Sequence, residues 1–86
     1  MIKLVYAPAF VRQFQKLENN LQEEILEKIE LFKNSKNHKL LKVHKLHGVL
    51  KNEFSFSVNY RTRIIFGYSS KEEVNIFSVG DHSIYN

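Results

Sequence analysis

Two arginines, Arg61 and Arg63, stand near the start of a β-prone run and are the first candidates for chemistry. The stretch from Phe54 to Phe66 reads FSFSVNYRTRIIF, and its first half alternates apolar with polar residues. This period of two predicts a strand with one buried face, followed after a turn by a second strand. Two guanidinium groups at the turn end of a strand pair would form a rigid site for an anion such as phosphate.

The positive charge of the chain is concentrated in one segment, residues 36–51. The chain has a formal net charge of +4, while residues 1–35 and 52–86 are close to neutral. The segment contains no acid and carries the following basic and titratable side chains: Lys36, His38, Lys39, Lys42, His44, Lys45, His47 and Lys51. Such one-sided charge predicts a polyanionic partner. The alternative is a solvated basic loop that only aids solubility.

The length and composition of the chain exclude several classes of protein. Its 86 residues predict one domain, residues 1–86, and 43% hydrophobic residues provide an adequate core. Without cysteine there is no disulfide framework and no thiolate chemistry. The apolar runs are far shorter than the ~20 residues that span a bilayer, and no signal-peptide pattern is present. We therefore expect a soluble cytoplasmic protein.

The apolar periodicity predicts an α+β fold with the order β-α-α-β-β-β. A short strand at residues 2–6 is followed by helices over residues 9–17 and 21–34, separated at Asn19-Asn20, with Pro8 in the first turn. The helices share one apolar stripe, which needs a sheet to cover it: Phe10, Phe14, Leu17, Leu21, Ile25, Ile29 and Phe32. Strands are predicted at residues 53–58, 62–68 and 74–79, and Gly80-Asp81 is expected to end the last one.

Residues 35–51 are predicted to be mostly loop, with lysines exposed and four apolar side chains directed to the core: Leu40, Val43, Leu46 and Leu50. The glutamates of the second helix are interpreted as a solvated helix face, although such a cluster could also ligate metal or transfer protons. His44 and His47 are three residues apart in a predicted loop, and no cysteine accompanies them. We therefore expect no metal site and no cofactor.

Three motifs in this order resemble the RelE/ParE superfamily of bacterial toxins. They are KLHG at 45–48, YRTRIIF at 60–66 and SVGDHSIY at 78–85. The resemblance implies a small twisted antiparallel sheet with a helical hairpin packed on one face. RelE-like members are endoribonucleases (mRNA interferases) that cut messenger RNA, generally on the ribosome, and are neutralised by an antitoxin. The implied partners are thus a cognate antitoxin, mRNA and the ribosome, with a heterotetramer or larger toxin–antitoxin assembly expected and no membrane.

The implied reaction is attack of a ribose 2′-hydroxyl on the neighbouring phosphate. It needs a base, an acid and positive charge on the phosphate, but no protein nucleophile. Arg63 matches the family's phosphate-binding arginine; its alternative role is a surface ion pair. His82 matches the basic residue after the family's glycine and could transfer protons, whereas a tail histidine is usually inert. Tyr85 matches the closing aromatic residue, which orients the substrate or packs on the sheet.

The basic segment would supply the second proton-transfer group and contacts to the RNA backbone. His47 is the preferred partner for His82, and His44 is the second choice. The expected RNA contacts are Lys42, His44, Lys45, Lys51 and Arg61. Ser57 departs from the family pattern, because several relatives have an arginine there, and Glu53 is the nearest acid. A ParE-like inhibitor of DNA gyrase and a degenerate toxin that only binds its antitoxin therefore remain alternatives.

Overall fold

The structure is a computed structural model that describes residues 1–47 and 52–81. The helices in this part are α1 (Pro8–Gln15) and α2 (Asn19–Phe32), followed by a 3₁₀ turn at Ser35–Asn37. The strands are β1 (Lys3–Tyr6), β2 (His44–Lys45), β3 (Phe54–Ser57), β4 (Thr62–Tyr68) and β5 (Glu73–Asp81). The predicted α+β class is confirmed, and β2 is an addition to the expected order.

The five strands form one mixed sheet in the order β1-β5-β4-β3-β2. The pairs β2–β3, β3–β4 and β4–β5 are antiparallel, as expected. The pair β1–β5 is parallel, with Lys3 opposite Glu73 and Tyr6 opposite Ile76. A parallel neighbour requires a long connection from one strand to the other, and the intervening helices and strands provide it. The sheet is therefore mixed rather than wholly antiparallel.

The helical hairpin covers one face of the sheet and forms the core with it. The core combines helical and strand residues: Phe10, Ile25, Ile29, Phe32, Leu41, Phe56, Val58, Ile64, Phe66, Val74 and Ile76. Its centre is Phe32, which stacks on Phe56 at 4.6 Å between ring centroids and meets Phe66 edge-on at 4.8 Å. The predicted stripe is confirmed, since the rest of it packs against this cluster half-buried.

The helix boundaries differ slightly from the prediction. α1 begins at Pro8, where the fixed φ of proline suits the first turn. The break between the helices lies at Lys16–Glu18 rather than at Asn19-Asn20, which open α2. The extended backbone of Glu18 (φ −67°, ψ 156°) makes this break. None of the described helices combines the length and apolar character required to cross a membrane.

The segment after α2 is more ordered than a loop, and one of its leucines is placed wrongly by the prediction. Leu41 and Leu46 are buried, whereas Leu40 is 72% exposed. The backbone N–H groups of Leu41 and Lys42 donate to the carbonyls of Asn37 and Lys39, which makes a helical turn on which neighbouring side chains point in different directions. The left-handed backbone of Lys42 (φ 58°) ends this turn. The Leu41 carbonyl then accepts a 2.8 Å hydrogen bond from the backbone N–H of Ser57. Leu50 lies outside the described residues.

The expectation that Gly80-Asp81 ends the last strand is also wrong. β5 continues to Asp81, with Gly80 opposite Arg63 and Asp81 opposite Thr62. A register shift at Ile65/Phe66 leaves one extra residue on β5, which is the arrangement of a β-bulge. The ladder therefore reaches the first residues of β4 and includes Arg63.

Candidate nucleic-acid interface

Arg63 lies on the face of the sheet that the helices do not cover. It is paired with Ser57 on β3 and with Gly80 on β5. Its neighbour Ile64 is buried under the helices, and successive side chains of a strand point to opposite faces. Arg63 is half-buried, and its Nη1 donates a 2.8 Å hydrogen bond to the Ser57 Oγ. A guanidinium group held in this way is a more rigid anion ligand than a side chain on a loop.

The turn before Arg63 is fixed by Asn59. The Asn59 Oδ1 accepts hydrogen bonds of 2.9 Å from the backbone N–H groups of Arg61 and Thr62. Its Nδ2 donates to the Glu24 Oε1 of α2 at 2.8 Å. An asparagine that bonds its own backbone two residues on is a typical turn former. The start of β4 is thus tied both to the turn and to the helical hairpin.

His44 lies on the same face of the sheet as Arg63, in the neighbouring cross-strand row. It is opposite Ser55, which is two residues from Ser57 and therefore on the same face. His44 and Arg63 are two strands and two residues apart, which corresponds to roughly 12 Å between their Cα atoms. Both side chains are long enough to approach one phosphate group between them.

The hydrogen bonds of His44 assign its tautomer. Its Nδ1 lies 3.0 Å from the Lys42 carbonyl oxygen, which can only accept, so Nδ1 carries the proton in the neutral ring. The Nε2 is then the acceptor and lies 3.4 Å from the Ser55 Oγ. Ser55 is fully buried, so this contact also satisfies a buried hydroxyl group. Nε2 is thus the unprotonated nitrogen of an oriented imidazole ring, and it can take a proton from a substrate when the 3.4 Å contact to Ser55 opens.

A cavity of about 380 Å³ adjoins Arg63. Three of the residues that line it are basic, Lys28, Lys42 and Arg63, and Tyr60 adds a phenol group. No aspartate or glutamate lies among the described residues that line it. The Lys28 Nζ contacts the Glu27 Oε1 at 3.2 Å outside this lining. Three basic side chains around one cavity favour an anion there, and we call this cavity the Arg63 pocket.

Lys28 and Tyr60 were missed as site residues from the sequence. Lys28 lies in the acidic stretch of α2, which the sequence predicts to be a solvated helix face. Only the packing of α2 on the sheet places Lys28 in the same cavity lining as Arg63. Tyr60 is 86% exposed in the β3–β4 turn. The sequence does contain one sign of this role: a large aromatic side chain stands in a polar turn, where it is not needed to fill the core.

The remaining predicted residues are dispersed. Arg61 is exposed and lines a different cavity, of about 720 Å³, with Gly80 and Asp81. Lys45 is opposite Phe54, which packs against the core, so it lies on the helical side of the sheet, unlike His44. His47 is exposed and lies beyond the end of β2.

Three predicted site residues, Lys51, His82 and Tyr85, lie outside the described residues. Within residues 1–47 and 52–81, no group of three or more His, Asp or Glu side chains is arranged to hold a metal ion. The structure thus brings together Arg63, Lys42 and, in the next row, His44.

The comparisons with known proteins find similarity at the level of structure. No family model matches the chain, and no curated protein matches it by sequence. The YoeB/ParE toxin from Agrobacterium tumefaciens aligns with a TM-score of 0.66 at 18% identity, covering 94% of this chain and 99% of that chain. The heterotetrameric YoeB-YefM toxin–antitoxin complex from Staphylococcus aureus gives 0.71 at 17% identity, with 95% and 98% covered.

A third match, the archaeal RelE-RelB complex from Pyrococcus horikoshii, has a TM-score of 0.72 at 15% identity and covers 93% of each chain. At these identities the similarity establishes the fold. Nearly the whole chain therefore has the fold of these YoeB- and RelE-type toxin structures, and the fold that the sequence motifs imply is confirmed.

Proposed function

We propose that the chain is the toxin of a toxin–antitoxin module and acts as a metal-independent endoribonuclease on mRNA, bound to the ribosome in the cytoplasm. The observation that carries this proposal is the placement of Arg63. It is fixed by Ser57 at the start of β4 and lines a pocket with Lys28 and Lys42. The structural neighbours that are toxins of the same fold support the proposal.

The reaction concentrates negative charge on one phosphate. Attack by the 2′-hydroxyl adds a fifth oxygen to phosphorus, and the 5′-oxygen of the next nucleotide then leaves. Positive groups that are already oriented stabilise this charge without reorganising during the reaction. Arg63 would contact the phosphate that is cleaved, and Lys28 and Lys42 would add positive charge at its edge.

Proton transfer would use two histidines. His82 remains the proposed acid or base on the C-terminal side. For the second group we now favour His44 over His47, because His44 has a defined tautomer and lies on the face of Arg63. An oriented ring with a basic Nε2 can remove a proton from the 2′-hydroxyl. Tyr85 would orient the substrate.

The RNA backbone would be bound by the proposed contacts Lys42, Lys45, Lys51 and Arg61. Tyr60, exposed at the entrance of the Arg63 pocket, would stack on a base, a contact that is common in the recognition of single-stranded RNA. Binding of this kind weakens steeply with salt.

The proposed protein partner is an antitoxin with an acidic or amphipathic segment. Two of the structural neighbours were solved as toxin–antitoxin complexes, one of them heterotetrameric. A segment with acidic side chains would cover the lysines of residues 36–45, and the proposed complex is a heterotetramer or a larger assembly.

A second candidate function is inhibition of DNA gyrase without catalysis. The observation that favours it is the contact between His44 and buried Ser55, which gives His44 a structural role. In that case replacing His44 would change stability but not toxicity. Supercoiling of DNA by purified gyrase, with and without the protein, distinguishes the two functions.

The experiment that tests the proposed nuclease is translation-dependent cleavage of mRNA by wild type, Arg63→Ala and His82→Ala. Arg12→Ala is the matched control, since Arg12 is an exposed arginine of α1 and does not line the Arg63 pocket or the cavity beside Arg61. We expect both site variants to lose cleavage and the control to keep it. Undiminished cleavage by both site variants would overturn the assignment.

A further inference from the structure

A second cavity with basic lining lies near the opposite end of β4 from Arg63. It has a volume of about 420 Å³ and is lined in part by Lys33, His38, Tyr68 and Lys71, with Glu72 as the carboxylate among its described lining. Nothing in the proposed cleavage reaction requires this cavity. We call it the Tyr68 pocket.

The walls of the Tyr68 pocket are fixed by packing. The His38 ring stacks on Phe32 at 4.6 Å, and its Nε2 lies 2.8 Å from the Phe32 carbonyl oxygen, to which it donates. The Tyr68 ring meets Phe54 edge-on at 5.2 Å. Burial raises the pKa of the Tyr68 phenol, so its hydroxyl group remains a proton donor. Lys33 and Lys71 line the same cavity as this donor, and the Lys33 Nζ also contacts the Glu30 Oε2 at 3.1 Å on the surface of α2. Two lysines and a hydroxyl donor in one lining suit an anion.

The basic segment joins the two pockets. Lys33 and Lys28 lie on α2, and the exposed lysines 36, 39 and 42 follow along the chain between the end of α2 and the Arg63 pocket. Arg63 and Tyr68 are five residues apart on β4, roughly 17 Å along the strand, and their side chains point to opposite faces of the sheet. This separation exceeds the reach of a single phosphate group and suits a chain of several nucleotides. An RNA strand that reached both pockets would pass round the edge of the sheet along these lysines.

We propose that the Tyr68 pocket binds a backbone phosphate of the same RNA strand, several nucleotides from the phosphate at Arg63. Lys71 and Lys33 provide the charge, and the Tyr68 hydroxyl donates a hydrogen bond to the phosphate oxygen. The identity of the ligand rests on the proposed function, whereas the presence of an anion site does not. The pocket sets the length of RNA that is bound and takes no part in the chemical step.

The test is the affinity of uncleavable 2′-O-methyl RNA, measured by fluorescence anisotropy with a dinucleotide and with an oligonucleotide of about ten nucleotides. Lys71→Glu is compared with Arg12→Glu. The control changes the net charge by the same amount, at an exposed side chain of α1. Tyr68→Phe removes only the hydroxyl group and keeps the ring packing. We expect Lys71→Glu to weaken the longer RNA about tenfold and to lower its salt slope by about 0.7 or more. Tyr68→Phe should weaken it about threefold.

The dinucleotide should bind these variants as it binds wild type, because it cannot reach both pockets. Three results would overturn the proposal. The first is an equal loss of affinity for the longer RNA in Lys71→Glu and Arg12→Glu, and the second is wild-type affinity in both Lys71→Glu and Tyr68→Phe. The third is a loss of affinity for the dinucleotide as large as that for the longer RNA. Failure of the proposed nuclease gives a different result: wild type would bind the longer RNA in the same two-pocket manner but would not cleave its unmodified form.

Discussion

Arg63 and Ser57 face each other across β4 and β3, and the Arg63 Nη1 donates a 2.8 Å hydrogen bond to the Ser57 Oγ. In the sequence Ser57 departs from the pattern of the superfamily that the motifs resemble, in which several members have an arginine at this place. In the structure the Ser57 hydroxyl group accepts the hydrogen bond that orients Arg63. The small side chain also leaves room for the half-buried guanidinium group on the same face.

Replacing Ser57 with alanine tests whether this hydrogen bond orients Arg63. Loss of a hydrogen bond to a charged group removes orientation but not charge, so we expect cleavage of RNA to fall about threefold to tenfold. Circular dichroism should show an unchanged fold. Ser57→Thr, which keeps a hydroxyl group, is the matched control, and equal activity of the alanine variant and wild type would contradict the orienting role.

Replacing His44 or His47 with alanine separates two candidates for proton transfer. Removal of a general base slows a reaction by about 10²–10⁴. We expect a loss of this size for His44→Ala, because its ring is oriented by Lys42 and Ser55. His47→Ala should stay within a few-fold of wild type. The reverse order in a kcat measurement would return the role to His47.

The His44 contact to buried Ser55 requires a stability control. Ser55→Ala removes the hydroxyl group that the His44 Nε2 satisfies. If the only role of His44 were to accept the Ser55 hydrogen bond, the double variant Ser55→Ala/His44→Ala would leave no unpaired hydroxyl group and would recover the activity of wild type. We expect the double variant to remain inactive, measured at a temperature at which both variants are folded.

Phe32 is the side chain on which the core depends most. It is fully buried and contacts the rings of Phe56, Phe66 and His38. Phe32→Ala should lower the free energy of unfolding by about 3–5 kcal/mol, as expected for a large cavity. Leu26→Ala on the same helix is the control, because Leu26 is 53% exposed and should change stability by less than about 0.5 kcal/mol. Urea unfolding of the three proteins measures this difference.

Tyr68 predicts a loss of stability in alkaline solution. Burial raises its pKa in the folded protein above the usual 10.0. Above pH 10.0 the unfolded chain loses this proton first, so the free energy of unfolding falls as the pH rises through the interval between the two values. The stabilisation is fully present below that interval.

Comparing wild type with Tyr68→Phe at pH ~8 and pH ~10.5 isolates this contribution from other groups that titrate there. We expect wild type to lose more stability than Tyr68→Phe between the two conditions. Tyr60→Phe, which alters an exposed tyrosine, should behave like wild type. Identical losses in all three proteins would contradict the assignment to Tyr68.

The sequence predicted the helical stripe and the strands because periodic apolar residues have to be buried together. Phe10 to Phe32 could be placed on one face from spacing alone. The parallel pairing of β1 with β5 could not, because a short apolar strand carries no signal of its direction. The position of Leu40 depended on a short helical turn that ends at Lys42 in a left-handed conformation, which is uncommon for lysine.

The candidate site was predicted in part. Arg63 followed from its place before Ile64 to Phe66. The choice between His44 and His47 required the register of β2, a strand of two residues that no periodicity can reveal. Lys28 is brought into the lining of the Arg63 pocket by the packing of α2 on the sheet, and the local sequence contains no sign of that placement.

The most direct test of the proposed function is the chemistry of the RNA ends after incubation of ribosome-bound mRNA with the protein in excess EDTA. Attack by the 2′-hydroxyl requires a 5′-hydroxyl end on one fragment and a 2′,3′-cyclic phosphate, or its hydrolysis product, on the other. An mRNA with a 2′-deoxy residue at the cleavage position should remain intact, and Arg63→Ala should cut neither RNA. Fragments with 5′-phosphate ends, cleavage of the deoxy substrate or an intact wild-type reaction would contradict the account.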